Sequence, residues 1–255
     1  MNAMLKVKNK PQSNKSKALG YVLYEGPSAL TGTPIVAILT LKTSNRKTGD
    51  MAQVWILDAG DLSPVELSKA KLDASICGNC PHRQSLGGAC YVNIGQAPLA
   101  VYRAYKLGRY ATYDAAVHAP MLANRMVRLG AYGDPSAVPF EVMNGIVKAA
   151  KGHTGYVHQA AHAGFDTRFL SICMLSADTP KQAAKWQALG AKTFRVALEG
   201  DSLADGEVEC LADSEGIQCV DCGLCNGIQD NVAITVHGSR AKNFKSNLIQ
   251  LLEVA

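Results

Sequence analysis

The chain reads as an α/β protein with a (β/α) barrel-like parallel sheet, irregular or shortened, and three observations lead there. Beyond Arg125, strand-like and helix-like segments alternate; polar residues capable of chemistry fall where strands stop; and the cysteines gather in two loops between such segments.

The elements follow in order. Runs rich in β-branched residues predict strands over residues 34–41 and 53–57, separated by a polar turn over 43–50. Helical spacing predicts a helix over 97–107, with Pro98 suited to its first turn. Then come a strand over 125–131, a helix over 140–150, and strands over 155–159 and 169–175. A helix over 179–189, with Thr179 as N-cap and Pro180 at its first position, precedes a strand over 192–198. The last strand, over 231–236, ends at His237.

The 255 residues are 47% hydrophobic and 18% charged, enough for one substantial core, and no apolar run approaches the roughly 18 residues of a membrane span. No membrane partner is expected. Residues 1–17 carry lysines, no acidic residue and no apolar stretch of the secretory kind, so a cytoplasmic protein is expected. No Pro/Gly/Ser-rich linker or fixed-period repeat divides the chain. The expected organisation is a flexible basic arm over 1–18 and one domain over 19–255, with metal-binding insertions at 77–90 and 210–237. Net charge is +5, and basic residues cluster in the arm, at Arg46 and Lys47, and at Arg240, Lys242 and Lys245. Such clusters favour a polyanion, although a basic tail also serves solubility.

Of the 8 cysteines, Cys77, Cys80 and Cys90 lie in CGNCPHRQSLGGACY, while Cys210, Cys219, Cys222 and Cys225 lie in CLADSEGIQCVDCGLCNG. In a reducing compartment such spacing signals metal rather than disulfides, because a C-x-x-C turn converges two thiolates on one ion. Four thiolates, or Cys219, Cys222 and Cys225 with His237, suit tetrahedral Zn²⁺; the same C-x-x-C-x-x-C with a remote cysteine suits an iron–sulfur cluster. His82 is a candidate fourth ligand for the first group. Cys173, in FLSICML, reads as a core residue.

Parallel βα sheets place reactive side chains at the carboxyl ends of strands. Asp58, Asp134, His158 with Gln159, Asp178 and Glu199 all fall at such ends. Asp134 and Asp58 are the leading catalytic candidates, as nucleophile and as acid or base. Each aspartate also has a structural reading, as a turn or helix cap. The turn Ser44-Asn45-Arg46-Lys47-Thr48-Gly49 has a composition suited to phosphate oxygens, or to a plain surface hairpin. Tyr91, Tyr102, Tyr105, Tyr110 and Tyr113 could stack on bases, though such tyrosines more often pack half-buried.

Ser44, Asn45, Lys47, Thr48 and Gly49, then CGNCPHRQSLGGACY, Gly133-Asp134-Pro135 and CVDCGLCNGIQDNVAITVHG together resemble a bacteriophage protein family with the pattern SxNxKTG, CxxCPxRxxxGxCY, GDxP and CxxCGLC…HG. Members of this kind look like shortened relatives of the tRNA-guanine transglycosylases and of the phage enzymes that place 7-deazaguanines in DNA. The resemblance implies a (β/α) barrel with a zinc site and DNA as partner. It implies that Asp134 attacks C1′ of a flipped deoxyguanosine, guanine leaves, and a 7-deazaguanine base replaces it. Asp58 would be the acid/base partner, His158, Gln159 and Tyr156 would read the base, and Ser44, Asn45 and Lys47 would bind the substrate. The chain departs from the transglycosylases in having CxxCxxC where they have CxCxxC, and in lacking an evident glycine-rich base-binding loop. A DNA glycosylase, a zinc-stabilised nucleic-acid-binding protein without catalysis, and an iron–sulfur enzyme are the alternatives left by the residues themselves.

Overall fold

A computed structural model describes residues 19–238 and 240–244. The basic arm expected over 1–18, together with Lys245, lies outside them.

Among the described residues ten strands form one sheet: β1 Gly20–Pro27, β2 Pro34–Thr40, β3 Ala52–Asp58, β4 Ala111–Thr112, β5 Met126–Tyr132, β6 Gly152–Val157, β7 Met174–Ala177, β8 Thr193–Ala197, β9 Glu207–Glu209 and β10 Asn231–Thr235. Their spatial order is β4-β1-β2-β3-β5-β6-β7-β8-β10-β9. β1, β2 and β3 form an antiparallel meander, and every other pairing is parallel. The short helices are α1 Pro64–Lys69, α2 Ala74–Cys77, α3 Ala97–Lys106, α4 Ala115–His118, α5 Phe140–Ala149, α6 Pro180–Ala188, α7 Leu211–Ser214 and α8 Cys219–Cys222. The fold is therefore α/β with a mostly parallel sheet. Among the described residues no pairing links β4 to β9.

Local chemistry accounts for the elements. Ile35 to Leu39 in β2 and Val54 to Leu57 in β3 are buried on both faces, as a covered central strand requires. Helix α1 starts in a capping box, Ser63 and Glu66 each satisfying the other's backbone N–H. In α6 the Thr179 hydroxyl accepts from Gln182 N at 3.1 Å with Pro180 in the first turn, as its sequence predicts. Helix α5 buries Phe140, Met143 and Ile146 on one face while linking β5 to its parallel neighbour β6.

Two expectations change. The strand expected over 169–175 is a 3-10 turn, Thr167–Ser171, followed by the shorter β7. Asp166 starts the turn by accepting from Arg168 N at 3.0 Å, and Phe169 packs edge-on to Phe140. An apolar run is buried equally well as strand or packed turn, and periodicity does not separate them. The strand expected over 155–159 lies earlier, as β6, so His158 and Gln159 sit just beyond its end. Cys173 is fully buried, and a Cβ on Gly155 would lie 2.7 Å from its sulfur.

Candidate metal centre and cavity

One face of the parallel strands lines a cavity of about 400 Å³. Alternate residues contribute: Arg128, Gly130 and Tyr132 from β5, Thr154 and Tyr156 from β6, Phe194 and Val196 from β8, Val232 and Ile234 from β10. Residues just past four strand ends complete the wall: Asp134 after β5, His158 after β6, Asp178 after β7 and His237 after β10. A pocket at the carboxyl ends of parallel strands is where α/β sheets bind ligands. Cys77, Cys80, Cys90, Cys210, Cys219, Cys222 and Cys225 all line it.

The first cysteine set is held by a clamp. The Gln159 side chain donates to Cys77 O at 2.8 Å and accepts from Asn79 N at 3.1 Å, and is itself 1% exposed. Gly78 between them has φ 51°, and a Cβ there would lie 2.1 Å from Gln159 Oε1. Only glycine fits so close an approach with that backbone. Cys90 N donates to His82 O at 2.9 Å, closing the loop on itself. Gln159, expected to read a base, does not line the cavity.

The second set docks on the 44–49 turn. Cys219 N donates to Lys47 O at 3.1 Å, Val220 N to Thr48 O at 3.0 Å, and Gln218 Nε2 to Arg46 O at 2.7 Å. Asn45 Oδ1 accepts from Lys47 N at 3.0 Å and shapes the turn. Gly49 has φ 70°, and a Cβ there would stand 2.6 Å from Val220 Cγ1. The turn expected to contact phosphate thus spends its backbone carbonyls on α8. Asn45 and Lys47 do line the cavity, whereas Ser44 is exposed and does not. Lys47 Nζ meets Asp213 at 3.3 Å and His237 Nε2 at 3.1 Å. Cys225 is anchored by Gly155 N donating to its carbonyl at 2.9 Å, and Cys210 by its own N donating to Ala233 O at 2.8 Å.

Electrostatics separate the cysteines into the two sets that the sequence suggests. Burial raises Cys77 and Cys90, and Cys80 acts on both; burial raises Cys225 to about 12, with Cys210, Cys219 and Cys222 adding to it. Buried thiols of this kind become thiolates only beside a cation. Arg128 is one such cation: it faces Cys219, donates to the Tyr91 hydroxyl, and leaves its buried Nε without a partner. Sequence reasoning passed over Arg128; the signal was a lone cation inside the apolar run MVRLGAY.

Asp178 joins two histidines. Its Oδ1 lies 2.7 Å from His82 Nε2 and its Oδ2 3.0 Å from His158 Nε2, while His158 Nδ1 faces Cys80 Sγ at 3.4 Å. Burial alone would raise the Asp178 carboxyl, but His158 and His82 hold it well below the usual carboxylate range. Among the described residues, His82, His158 and Asp178 form a group whose ligand atoms lie within 4.8 Å of one another. No three cysteine sulfurs converge that tightly among the described residues.

Asp134 is buried, and burial pushes its carboxyl up despite three hydrogen bonds. Its Oδ1 accepts from Ser136 N and Oγ at 2.9 and 2.6 Å, and its Oδ2 from His158 N at 2.7 Å. Asp58 stands apart from the cavity, with its carboxylate taken by Gly60 N at 2.9 Å and Ser75 Oγ at 2.9 Å. The structure therefore does not bring the two candidate carboxylates together in one site. No helix is long and apolar enough to cross a membrane among the described residues. Comparison with protein-family models, curated proteins and solved structures gives no match for this chain.

Proposed function

We propose that this chain is a metalloenzyme whose reaction takes place in the cavity, with Cys210, Cys219, Cys222 and Cys225 holding an iron–sulfur cluster in its wall. The observation that carries the reading is the convergence of all seven loop cysteines on one pocket at the strand ends. A structural zinc site alone needs no cavity.

The C-x-x-C-x-x-C spacing with the remote Cys210 suits a cluster. Zn–S bonds of about 2.3 Å in a tetrahedron bring sulfurs to about 3.8 Å of one another. Among the described residues no three cysteine sulfurs lie within 4.8 Å of one another. Arg128 acts on the Cys219 thiol and Tyr156 on the Cys225 thiol, each favouring the thiolate, and such neighbours tune a cluster's potential. Such a centre supplies electron transfer to a substrate bound against it. Anaerobic purification with iron, sulfide and zinc analysis is the test. Iron and sulfide in equal amounts with absorption at about 400 nm are expected; zinc alone with no such band would overturn the reading.

A second reading, the guanine transglycosylase that exchanges guanine in DNA for a 7-deazaguanine, rests on Asp134 at the end of β5. Asp134, His158 and Tyr156 share the cavity wall. In it, an Asp134 oxygen bonds C1′ as the base departs, and the incoming base displaces the aspartate. The three hydrogen bonds to Asp134 weigh against it, because they hold both oxygens in structural use. Release of labelled guanine from DNA decides: label retained in every DNA tested, whatever base is supplied, would sink this reading.

A further inference from the structure

We infer that His82, His158 and Asp178 form a second metal site, for a single first-row divalent transition ion, distinct from both cysteine sets and open to the cavity. It goes beyond the cluster reading and does not depend on it.

The geometry carries the inference. Both Nε2 atoms aim at one carboxylate, at 2.7 and 3.0 Å from its two oxygens, with the three ligand atoms within 4.8 Å of one another. Without a cation each contact requires an N–H on Nε2, which for a neutral ring makes Nδ1 an acceptor. In His82 that Nδ1 is buried and has no hydrogen-bond partner. That nitrogen stays unpartnered with or without an ion, so the convergence of the three buried ligand atoms is what points to a metal.

A divalent ion changes the accounting. It takes the lone pairs of both Nε2 atoms and a carboxylate oxygen, and in each neutral ring the proton moves from Nε2 to Nδ1 with none lost to solvent. His158 then carries its proton on Nδ1, where it is donated to Cys80 Sγ at 3.4 Å; a metal-bound imidazole usually orients itself through such a contact with its other nitrogen. His82 is held from the side by the Phe244 ring, stacked at 5.3 Å. Asp178 is fixed by its place between β7 and α6, its N donating to Gln182 Oε1 at 2.6 Å.

Two imidazoles and one carboxylate suit Fe²⁺, Mn²⁺, Co²⁺ or Zn²⁺, and three protein ligands leave coordination positions free. Those positions face the cavity, since all three residues line it. The ligand class is therefore a substrate offering an oxygen donor: a hydroxyl, carbonyl or phosphate.

The test is Co²⁺ titration of the anaerobically purified full-length protein, read by d–d absorption, beside the Asp178→Asn and His82→Gln variants. One equivalent of Co²⁺ with d–d bands and no thiolate-to-cobalt charge transfer is expected, weakened about tenfold or more in either variant. The metal bound as purified, iron or zinc, stays unchanged in both variants, which separates this site from the cysteine centre. Equal Co²⁺ affinity in parent and variants, or charge-transfer bands on all the bound cobalt, would overturn the inference. Should a variant fail to fold, carbethoxylation of His82 and His158 in the parent decides instead. Co²⁺ protects both if they are ligands, and unchanged modification rates refute it.

Discussion

Gln159 follows directly after a residue on the cavity wall and yet does its work behind that wall. It was expected to read a base, because a polar side chain at a strand end usually faces ligand. One amide instead bonds a part-buried carbonyl and N–H of the first cysteine loop. Gln159→Ala removes the acceptor of the Asn79 N–H and leaves Cys77 O with Cys80 N alone at 3.2 Å, at a cost of about 1–3 kcal/mol in all. Urea denaturation should show the loss, and metal analysis should show less metal bound. Asp134 raises the parallel question. Asp134→Asn retains an acceptor for Ser136 but turns an NH₂ group toward His158 N if the amide keeps that orientation, so a fall of about 1–3 kcal/mol is expected. A stable variant with its thermal midpoint unchanged would show that these hydrogen bonds matter little and would return Asp134 to the nucleophile role. Residue identity at strand ends was legible from sequence. Which side of the wall each side chain faces was not, because that depends on contacts from residues more than seventy positions away, such as Cys77 to Gln159.

The elements themselves were the more legible part. Alternating apolar runs, the Thr179-Pro180 start and the α5 stripe give β2, β3, β5, α5, α6, β8 and β10 nearly at their bounds. The short edge strands β4 and β9 have too few residues to show a period, and the 3-10 turn at Thr167–Ser171 imitates a strand in composition. The docking of α8 on the 44–49 turn is testable as an element. Gly49→Ala places a methyl group 2.6 Å from Val220 Cγ1 at a φ of 70°, so the turn or α8 must move. Loss of metal from the second cysteine set with the first unaffected is expected, read by metal analysis beside a Gly108→Ala control, whose Cβ would meet nothing within 4 Å.

At the β8–β9–β10 edge, Arg195 and Glu207 form a bidentate pair, with side chains 1% and 0% exposed and bonds of 2.8 and 2.6 Å. Burial opposes the Glu207 charge, but Arg195 more than offsets it and holds the carboxyl below its ordinary 4.5. The unfolded state therefore binds the proton first as pH falls. The pair's stabilisation is complete above the ordinary glutamate value and is lost as pH drops through the lowered one. Urea midpoints measured from neutrality to about pH 3 should fall more steeply in the parent than in Glu207→Gln. Equal slopes would show that the pair contributes nothing to acid sensitivity.

For the whole molecule, the sheet brings together two loops that lie far apart in the chain. The sequence exposed the α/β class and the grouping of cysteines, since both are local patterns. It could not expose their meeting, because nothing local in residues 77–90 refers to 210–225. Metal held by cysteines that the fold brings to the cavity would couple metal binding to folding. Chelator treatment under anaerobic conditions should lower the thermal midpoint, with the stabilisation of a ligand at a thousand times its Kd being about 4 kcal/mol. A midpoint unmoved by metal removal would assign the metal no part in stability.

The order of synthesis gives the strand arrangement a further consequence. β10 lies between β8 and β9, although β9 is made first. While the chain emerges, β9 has no neighbour to pair with, and the cavity wall stands open until residues 231–235 leave the ribosome. The first three cysteines are thus made well before the strand that completes this wall. A chain stalled before residue 231 would carry thiols without their pocket, open to oxidation or to capture of the wrong ion.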